Sequence, residues 1–208
     1  MLERKSNLRF FVGIDEVGRG ALAGPVLVVA AALPLGWRLR KNSAPGVLRD
    51  SKKLSVQARE RWFAYVRKEG KIIYAAARVS PRVIDRINIS ASANRAAHRA
   101  FGRLMKKAGL SQNRILVFLD GGLYLGNRDY QEKWFSGRAK TIIRGDEKIN
   151  AVKVASIIAK VTRDRYMKNL STRYPGYSFG EHKGYGTGKH KKALKLLGPT
   201  EIHRSTFI

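Results

Sequence analysis

Phe10 to Ile14 and Val26 to Leu33 are apolar, β-rich runs separated only by Asp15 to Pro25, a stretch that holds three glycines and a proline. Runs so close together read as neighbouring strands joined by a tight turn, both central and buried. The rest of the chain must build around that pair. Two carboxylates, Asp15 and Glu16, stand at the end of the first run, and Val17-Gly18-Arg19-Gly20 follows them. Neighbours on a regular strand point to opposite faces, so these acids share one site only if the strand ends or bulges there, which the glycines permit.

After a Pro- and Gly-bearing loop at Pro34 to Leu48, Ser55 caps a helix through Glu69, with Ala58, Trp62, Tyr65 and Val66 at helical spacing. Gly70 ends it. Lys71 to Val79 reads as a third strand, Ser80-Pro81 starts a short helix to about Ile87, and a longer helix runs from Ser90 or Ser92 to Gly109. Arg114 to Leu119 is a buried strand ending at Asp120-Gly121-Gly122, and Ala139 to Arg144 is another, ending at Gly145-Asp146. The polar stretch from Gly122 to Arg138 between them reads as a surface loop. Ala151 to Tyr174 is a long helix broken at Pro175-Gly176, and Thr187 to Leu197 is a basic helix closed by Gly198-Pro199. No repeat or linker divides the chain, so one domain over 1–208 is expected, with its basic helical part from about 176 to 208 packing on the remainder and contributing to substrate binding. Strands come early and helices later, with the remaining strands between helices. That order points to an α/β fold with a mixed sheet flanked by helices, rather than a doubly wound parallel one.

Charge narrows the function. Lys and Arg number 42 against 15 Asp and Glu, a formal charge of +27, which implies a polyanionic partner bound largely through phosphate contacts. Acids are scarce, so their placement is informative. Asp15, Asp120 and Asp146 all fall at strand ends in this reading, where functional residues of open α/β sheets gather. Hard divalent ions such as Mg²⁺ take oxygen ligands, keep several waters and are held by a few carboxylates plus substrate phosphate. Two such ions about 3.5 to 4 Å apart can activate a water and stabilise the leaving oxygen of a phosphodiester. Asp15, Glu16, Asp120 and Asp146 are the candidate ligands. Any one of these aspartates is explained as a turn former or helix cap; the joint pattern is what lifts them above that. Asp164, inside a helix, reads by itself as a surface ion-pair residue. The absence of cysteine excludes disulfides, thiolate metal sites and cysteine nucleophiles, and fits a reducing cytoplasm. No apolar run approaches the roughly 20 residues of a membrane span, so a soluble cytoplasmic protein is expected.

Two nucleotide motifs fail in context. Gly18-x-Gly20-x-x-Ala23 resembles a dinucleotide fingerprint, but that motif must open a helix and the residues from Gly24-Pro25 onward read as a strand. Gly184-Tyr185-Gly186-Thr187-Gly188-Lys189 lacks the earlier glycine and the Ser or Thr after Lys that a phosphate-binding loop needs. A non-catalytic nucleic-acid-binding protein is the remaining alternative, for which clustered acids are an electrostatic liability.

The residues then become recognisable. Gly13-Ile-Asp15-Glu16-Val-Gly18-Arg19-Gly20 through Pro25, Asp50-Ser-Lys52-Lys53-Leu-Ser55, Ile87-Asn-Ile89, Leu119-Asp120-Gly121, Gly145-Asp146, Ala155 through Asp164, His182-Lys183-Gly-Tyr185-Gly-Thr187 and His203-Arg-Ser-Thr-Phe207 occur in that order. Together they resemble the type 2 ribonucleases H, specifically the single-domain bacterial ribonuclease HII branch. The resemblance implies a ribonuclease H-like fold with a C-terminal helical extension. It also implies Mg²⁺- or Mn²⁺-dependent cleavage of RNA in RNA–DNA hybrids and at single ribonucleotides in duplex DNA, leaving 3′-hydroxyl and 5′-phosphate ends. Asp15, Glu16 and Asp120 match the family's metal-binding acids, and Asp146 the fourth. Gly18, Arg19 and Gly20 match the segment whose backbone tests for a 2′-hydroxyl, and Tyr185 the tyrosine that stacks on the next sugar. Lys52, Lys53 and Lys183 fall in matched blocks as phosphate contacts, and Asp164 as a group near the metals. His203 and Arg204 are open to either C-terminal packing or phosphate contact.

Departures from the family pattern are Ala21, where proline is common, and Ala151-Val-Lys153-Val before Ala155-Ser156. No substrate-binding domain precedes Asp15, which argues against the ribonuclease HIII branch. A clamp-binding tail is not evident after Phe207-Ile208, and a monomer is expected.

Overall fold

The computed structural model describes residues 8–39, 44–125 and 138–208. The two apolar runs become β1 (Phe10–Val17) and β2 (Val26–Pro34), paired antiparallel with Asp15 opposite Val29 and Val17 opposite Leu27. With β3 (Ile73–Val79), β4 (Ile115–Asp120) and β5 (Arg138–Ile142) they form one sheet of order β3-β2-β1-β4-β5. β3 is antiparallel to β2, while β4 runs parallel to β1 and β5 parallel to β4. This is the mixed sheet that the order of elements called for.

Alternation along the central strands supplies two apolar faces. Val12, Ile14, Val28 and Ala30 pack against Ala93, Ala97, Phe101 and Leu104 of α3 (Ile89–Ala108). The opposite face, with Val29, Ala31 and Leu33, packs against α5 (Asn150–Arg173) and, through Trp62, Phe63 and Val66, against α1 (Val56–Glu69). α5 approaches so closely that a Cβ on Gly13 would lie 2.1 Å from the Ala151 carbonyl carbon. That contact carries α5 directly beneath β1. Between β3 and α3 lies the short α2 (Pro81–Ile87), and Asn88 both ends it and caps α3 by accepting from Ala91 N at 3.0 Å.

Several boundaries differ from the sequence expectation. β1 runs three residues past Ile14, because Glu16 and Val17 have partners on β2; the acids therefore lie within the ladder, with no bulge. β3 starts at Ile73 rather than Lys71, and α3 starts at Ile89 rather than at a serine, since Asn88 supplies the capping oxygen. Asp146 is not at a strand end: β5 stops at Ile142, Arg144 takes a left-handed turn (φ 55°), and Asp146 sits in the first turn of α4 (Gly145–Lys148). Of the expected loop between Gly122 and Arg138, residues 126–137 lie outside the described residues, while Leu123 is fully buried in the α3-side core and Arg138 opens β5. Residues 40–43 of the earlier loop also lie outside them.

The last part of the chain folds back on the β1–β2 link. α6 (Phe179–His182) and α7 (Gly188–Leu197) bury Phe179, Tyr177 and Ala193 with Met167 and Leu170 of α5 and Ala23 of the link. Isolated β-bridges tie Ala21 to Tyr185 and Ala23 to His203. No helix among the described residues is long and apolar enough to cross a membrane.

Candidate active site

The site forms where β1 and β4 end side by side. Asp15, only 5% exposed, lies on the α5 face of the sheet, and its Oδ1 accepts from Glu16 N at 2.8 Å. Alternation turns Glu16 toward α3. There its Oε1 lies 3.5 Å from the Arg19 guanidinium, which donates to Ser90 Oγ at 3.0 Å. Ile14 pairs with Leu119, so Asp120 at the end of β4 comes level with Asp15. Asp120 Oδ1 accepts from Gly145 N at 2.7 Å, and this bond draws α4 in. Asp146, 4% exposed, follows immediately, its Oδ2 being 3.5 Å from Lys52 Nζ.

These acids burden one another. Burial, then Glu16, Asp120 and Asp146, hold the Asp15 carboxyl well above the usual carboxylate range, opposed by a hydrogen bond from Ser156. Burial and Asp120 raise Glu16 against the pull of Arg19, and burial, Asp120 and Asp50 raise Asp146 against Lys52. Burial works to lower the Lys52 ammonium, but Asp146, Asp50 and Asp15 together push it up. In a chain of +27, this buried concentration of negative charge is left undercompensated.

A hard cation fits that donor set. Glu16 Oε2 is buried without a hydrogen-bond partner, and carboxylate oxygens with open positions suit an ion that keeps water and substrate phosphate as its other ligands. Among the described residues the side chains are not drawn into a closed group of three or more ligands. Glu16, Asp120 and Asp146 are instead held by Arg19, by the Gly145 amide and by Lys52 respectively.

Gly18 and Gly20 differ in what the fold asks of them. Gly18 has φ +90°, and a Cβ there would lie 2.6 Å from Arg163 Nε. Gly20 is exposed, and a Cβ on it would meet nothing within 4 Å. The link is pinned from below by two fully buried arginines. Arg163 of α5 donates to Pro25 O at 2.5 Å and to Ala23 O and Lys183 O at 3.1 Å. Arg204 donates to Gly18 O at 2.6 Å, Arg19 O at 2.7 Å and Gly24 O at 2.9 Å. Burial lowers both guanidinium pKa values, that of Arg204 to about 10. Arg204 therefore packs rather than reaching for phosphate.

Tyr185 sits half-buried beside the link, with the Lys160 ammonium 5.9 Å and the Arg163 guanidinium 6.0 Å from its ring centroid. Its carbonyl accepts from His190 Nδ1 at 3.0 Å, and His190 Nε2 meets His203 Nε2 at 3.1 Å. Lys183, in a left-handed turn (φ 53°), folds its ammonium back onto Gly180 O. Lys53 pairs with Glu147 at 3.0 Å rather than with the acid cluster. Asp164 faces Lys160 at 3.0 Å and Arg59 at 3.9 Å, an ion-pair set between α5 and α1. Sequence reasoning missed Asp50, Ser51 and Ser156. Asp50 accepts from Lys52 N at 2.9 Å, and the two serines share a 2.8 Å hydrogen bond beneath the acids. It missed Arg163 as well. All lie in the motif blocks quoted above, whose length was the available signal.

Comparison with solved structures defines the class. Ribonuclease H2 from Pyrococcus horikoshii OT3 superposes with a TM-score of 0.68 at 25% identity, covering 95% of this chain and 93% of that one. A Bst-RNase HIII structure determined with Mn²⁺ has the same fold, with a TM-score of 0.68 at 19% identity over 98% of this chain and 68% of that one. The protein thus has the ribonuclease H-like α/β fold. The family model for Ribonuclease HII matches residues 12–208, and Ribonuclease HII of Caldicellulosiruptor bescii is 40% identical over 200 residues, 96% of this chain and 87% of that protein. This chain belongs to the ribonuclease HII family, metal-dependent endonucleases acting on RNA–DNA hybrids.

Proposed function

We propose that the protein cleaves RNA within RNA–DNA hybrids and also incises at single ribonucleotides embedded in duplex DNA, leaving 3′-hydroxyl and 5′-phosphate ends. The observation that carries this reading is the buried Asp15, pressed by Glu16, Asp120 and Asp146, in a chain that opens a Cβ-free backbone to solvent at Gly20, in the link that follows β1. Asp15, Glu16, Asp120 and Asp146 would hold two ions, Mg²⁺ or Mn²⁺. When bound, such ions neutralise charge on the scissile phosphate and acidify water. The protein's own groups do the rest. Gly20 admits a ribose against the chain without a Cβ in the way, while Gly18, clamped through its carbonyl by Arg204, fixes where the neighbouring backbone groups point. Tyr185 offers a ring for the following sugar, and it stays in place because its segment bridges Ala21. Lys52, the most exposed cation near the acids at 79%, can leave Asp146 for a substrate phosphate once a metal takes its place. Lys53 and Lys183 are further phosphate contacts once substrate draws them from Glu147 and from Gly180 O, and Asp164 acts at a distance by orienting Lys160 beside Tyr185.

The test uses duplex DNA with one ribonucleotide and a continuous RNA–DNA hybrid, each with and without Mg²⁺. Metal-dependent incision of both is expected, and Asp120→Asn should reduce it by at least about 10²-fold while leaving binding within a few-fold. Normal cutting by that variant would sink the assignment of the acids. Cutting of the hybrid alone would restrict the reading to continuous hybrids.

A further inference from the structure

Away from the acids, a cavity of about 350 Å³ opens where β2 begins and β3 ends, lined by Pro25, Arg78, Ser80, Arg95, Arg99 and Tyr166 among others. Its size is that of a small ligand site. Among the described residues no carboxylate lines it, although three arginines do. Arg78 lies over the Tyr166 ring, 5.0 Å from the centroid, which fixes one guanidinium. Arg95 and Arg99 stand one turn apart on α3, both exposed. Like charges at that spacing repel. Among the described residues none of the three forms an ion pair, while Arg19, Arg59 and Arg165 all do. The hydroxyl of Ser80 is not spent on capping α2 either. The fold thus gathers three planar donors around a void and supplies no anion to satisfy them.

Phosphate is the ligand that forked guanidinium groups suit best, since each offers paired donors to paired oxygens. The sheet register says which phosphate. Val79 pairs with Val26, and Val29 pairs with Asp15. Three residues along β2 and two strand spacings across put Val79 about 14 Å from Asp15. With one phosphate per 3.4 Å of axis on each strand, that separation is about four base pairs of a duplex.

We propose that Arg78, Arg95 and Arg99 form a seat for one backbone phosphate of the substrate duplex, about four base pairs from the phosphate that reacts. This rests on the reading that the substrate is a duplex. The seat is independent of the acids and reads no base. Its role is to fix where along the duplex the cut falls.

The experiment compares the wild-type chain with Arg95→Gln and Arg99→Gln, both on an exposed helix face, singly and together. Binding to a 20-base-pair RNA–DNA hybrid is followed by fluorescence anisotropy in EDTA over a range of salt. The double variant should bind roughly tenfold more weakly, with the slope of log K against log salt reduced by about 1, and should raise KM while leaving kcat unchanged. Duplex DNA with a single ribonucleotide, which fixes the register of the reacting phosphate, carries one neutral methylphosphonate at successive positions and so locates the contact. One position, near four base pairs from the cut, should weaken the wild type but not the double variant. Absence of any such position, or an unchanged salt slope, would overturn the proposal. So would selective thermal stabilisation of the wild type by inorganic phosphate without a sensitive position, which would mark a seat for free anions. Failure of the wild type to cut hybrids in Mg²⁺ would instead strike at the proposed function, since the anisotropy arm needs no cleavage.

Discussion

Acid should loosen the C-terminal lobe through His203. This residue is 5% exposed, its Nδ1 accepts from Thr200 N at 2.9 Å, and its Nε2 lies 3.1 Å from His190 Nε2. His190 Nδ1 faces the Tyr185 carbonyl, so it must donate there. His190 Nε2 is then an acceptor and His203 Nε2 the donor to it. A second proton on His203 would sit on Nδ1 against the Thr200 N–H, with only the Thr200 hydroxyl oxygen, 2.9 Å away, to accept it. Burial, then His190, lower its pKa to about 4, against about 6.5 in the unfolded chain. The unfolded state therefore takes up the proton first, and stability falls as pH drops from about 6.5 toward 4. For those two values the loss between pH 7.5 and pH 5 is about 2 kcal/mol, or about 4 to 8 °C in Tm for a domain of this size. The buried Asp15 works in the opposite direction, since its raised carboxyl is relieved by acid, so the informative quantity is a difference between variants. Urea unfolding at pH 7.5 and 5 should show the His203→Gln variant losing about 2 kcal/mol less than the wild type. Equal losses in the two proteins would refute the argument.

The other expectations concern the site itself. Asp15→Asn removes a charge that burial and three acids oppose, so thermal melts without metal at pH 7 should show it at least as stable as the wild type, while incision falls by orders of magnitude. Added Mg²⁺ should raise the Tm of the wild type and not of this variant. Gly18→Ala should cost more than about 2 kcal/mol in denaturant unfolding, because its φ is +90° and Arg163 blocks the Cβ. Gly20→Ala should leave stability unchanged yet slow incision at a ribonucleotide more than it weakens binding to plain duplex DNA.

What could be read from the chain followed from period and punctuation. Alternating and continuous apolar runs placed every strand, and Ser55, Gly70 and Thr187 marked helix ends that the structure uses as caps. The end of β1 was misplaced because apolarity stops at Ile14, while the backbone ladder continues as long as Leu27 and Val28 offer partners. Pairing is non-local, so no window of residues reports it. Asp146 was misplaced for a related reason: the left-handed turn at Arg144 and the bond from Gly145 N to Asp120 create α4, and neither leaves a mark on local composition. The acids themselves were legible through their scarcity and order. Of their supports, Arg204 was legible only as open to packing or phosphate contact, and Ser156 and Arg163 were not legible at all, since an arginine whose partners include backbone carbonyls more than 130 residues away looks like one more basic residue among 42.

The clamp of Arg204 on Gly18 joins residues 186 positions apart. During synthesis the acids of β1 leave the ribosome early, whereas the link beside them stays unclamped until residue 204 is free to fold. A nascent chain thus carries its carboxylates long before it has a shaped surface on which to test a sugar.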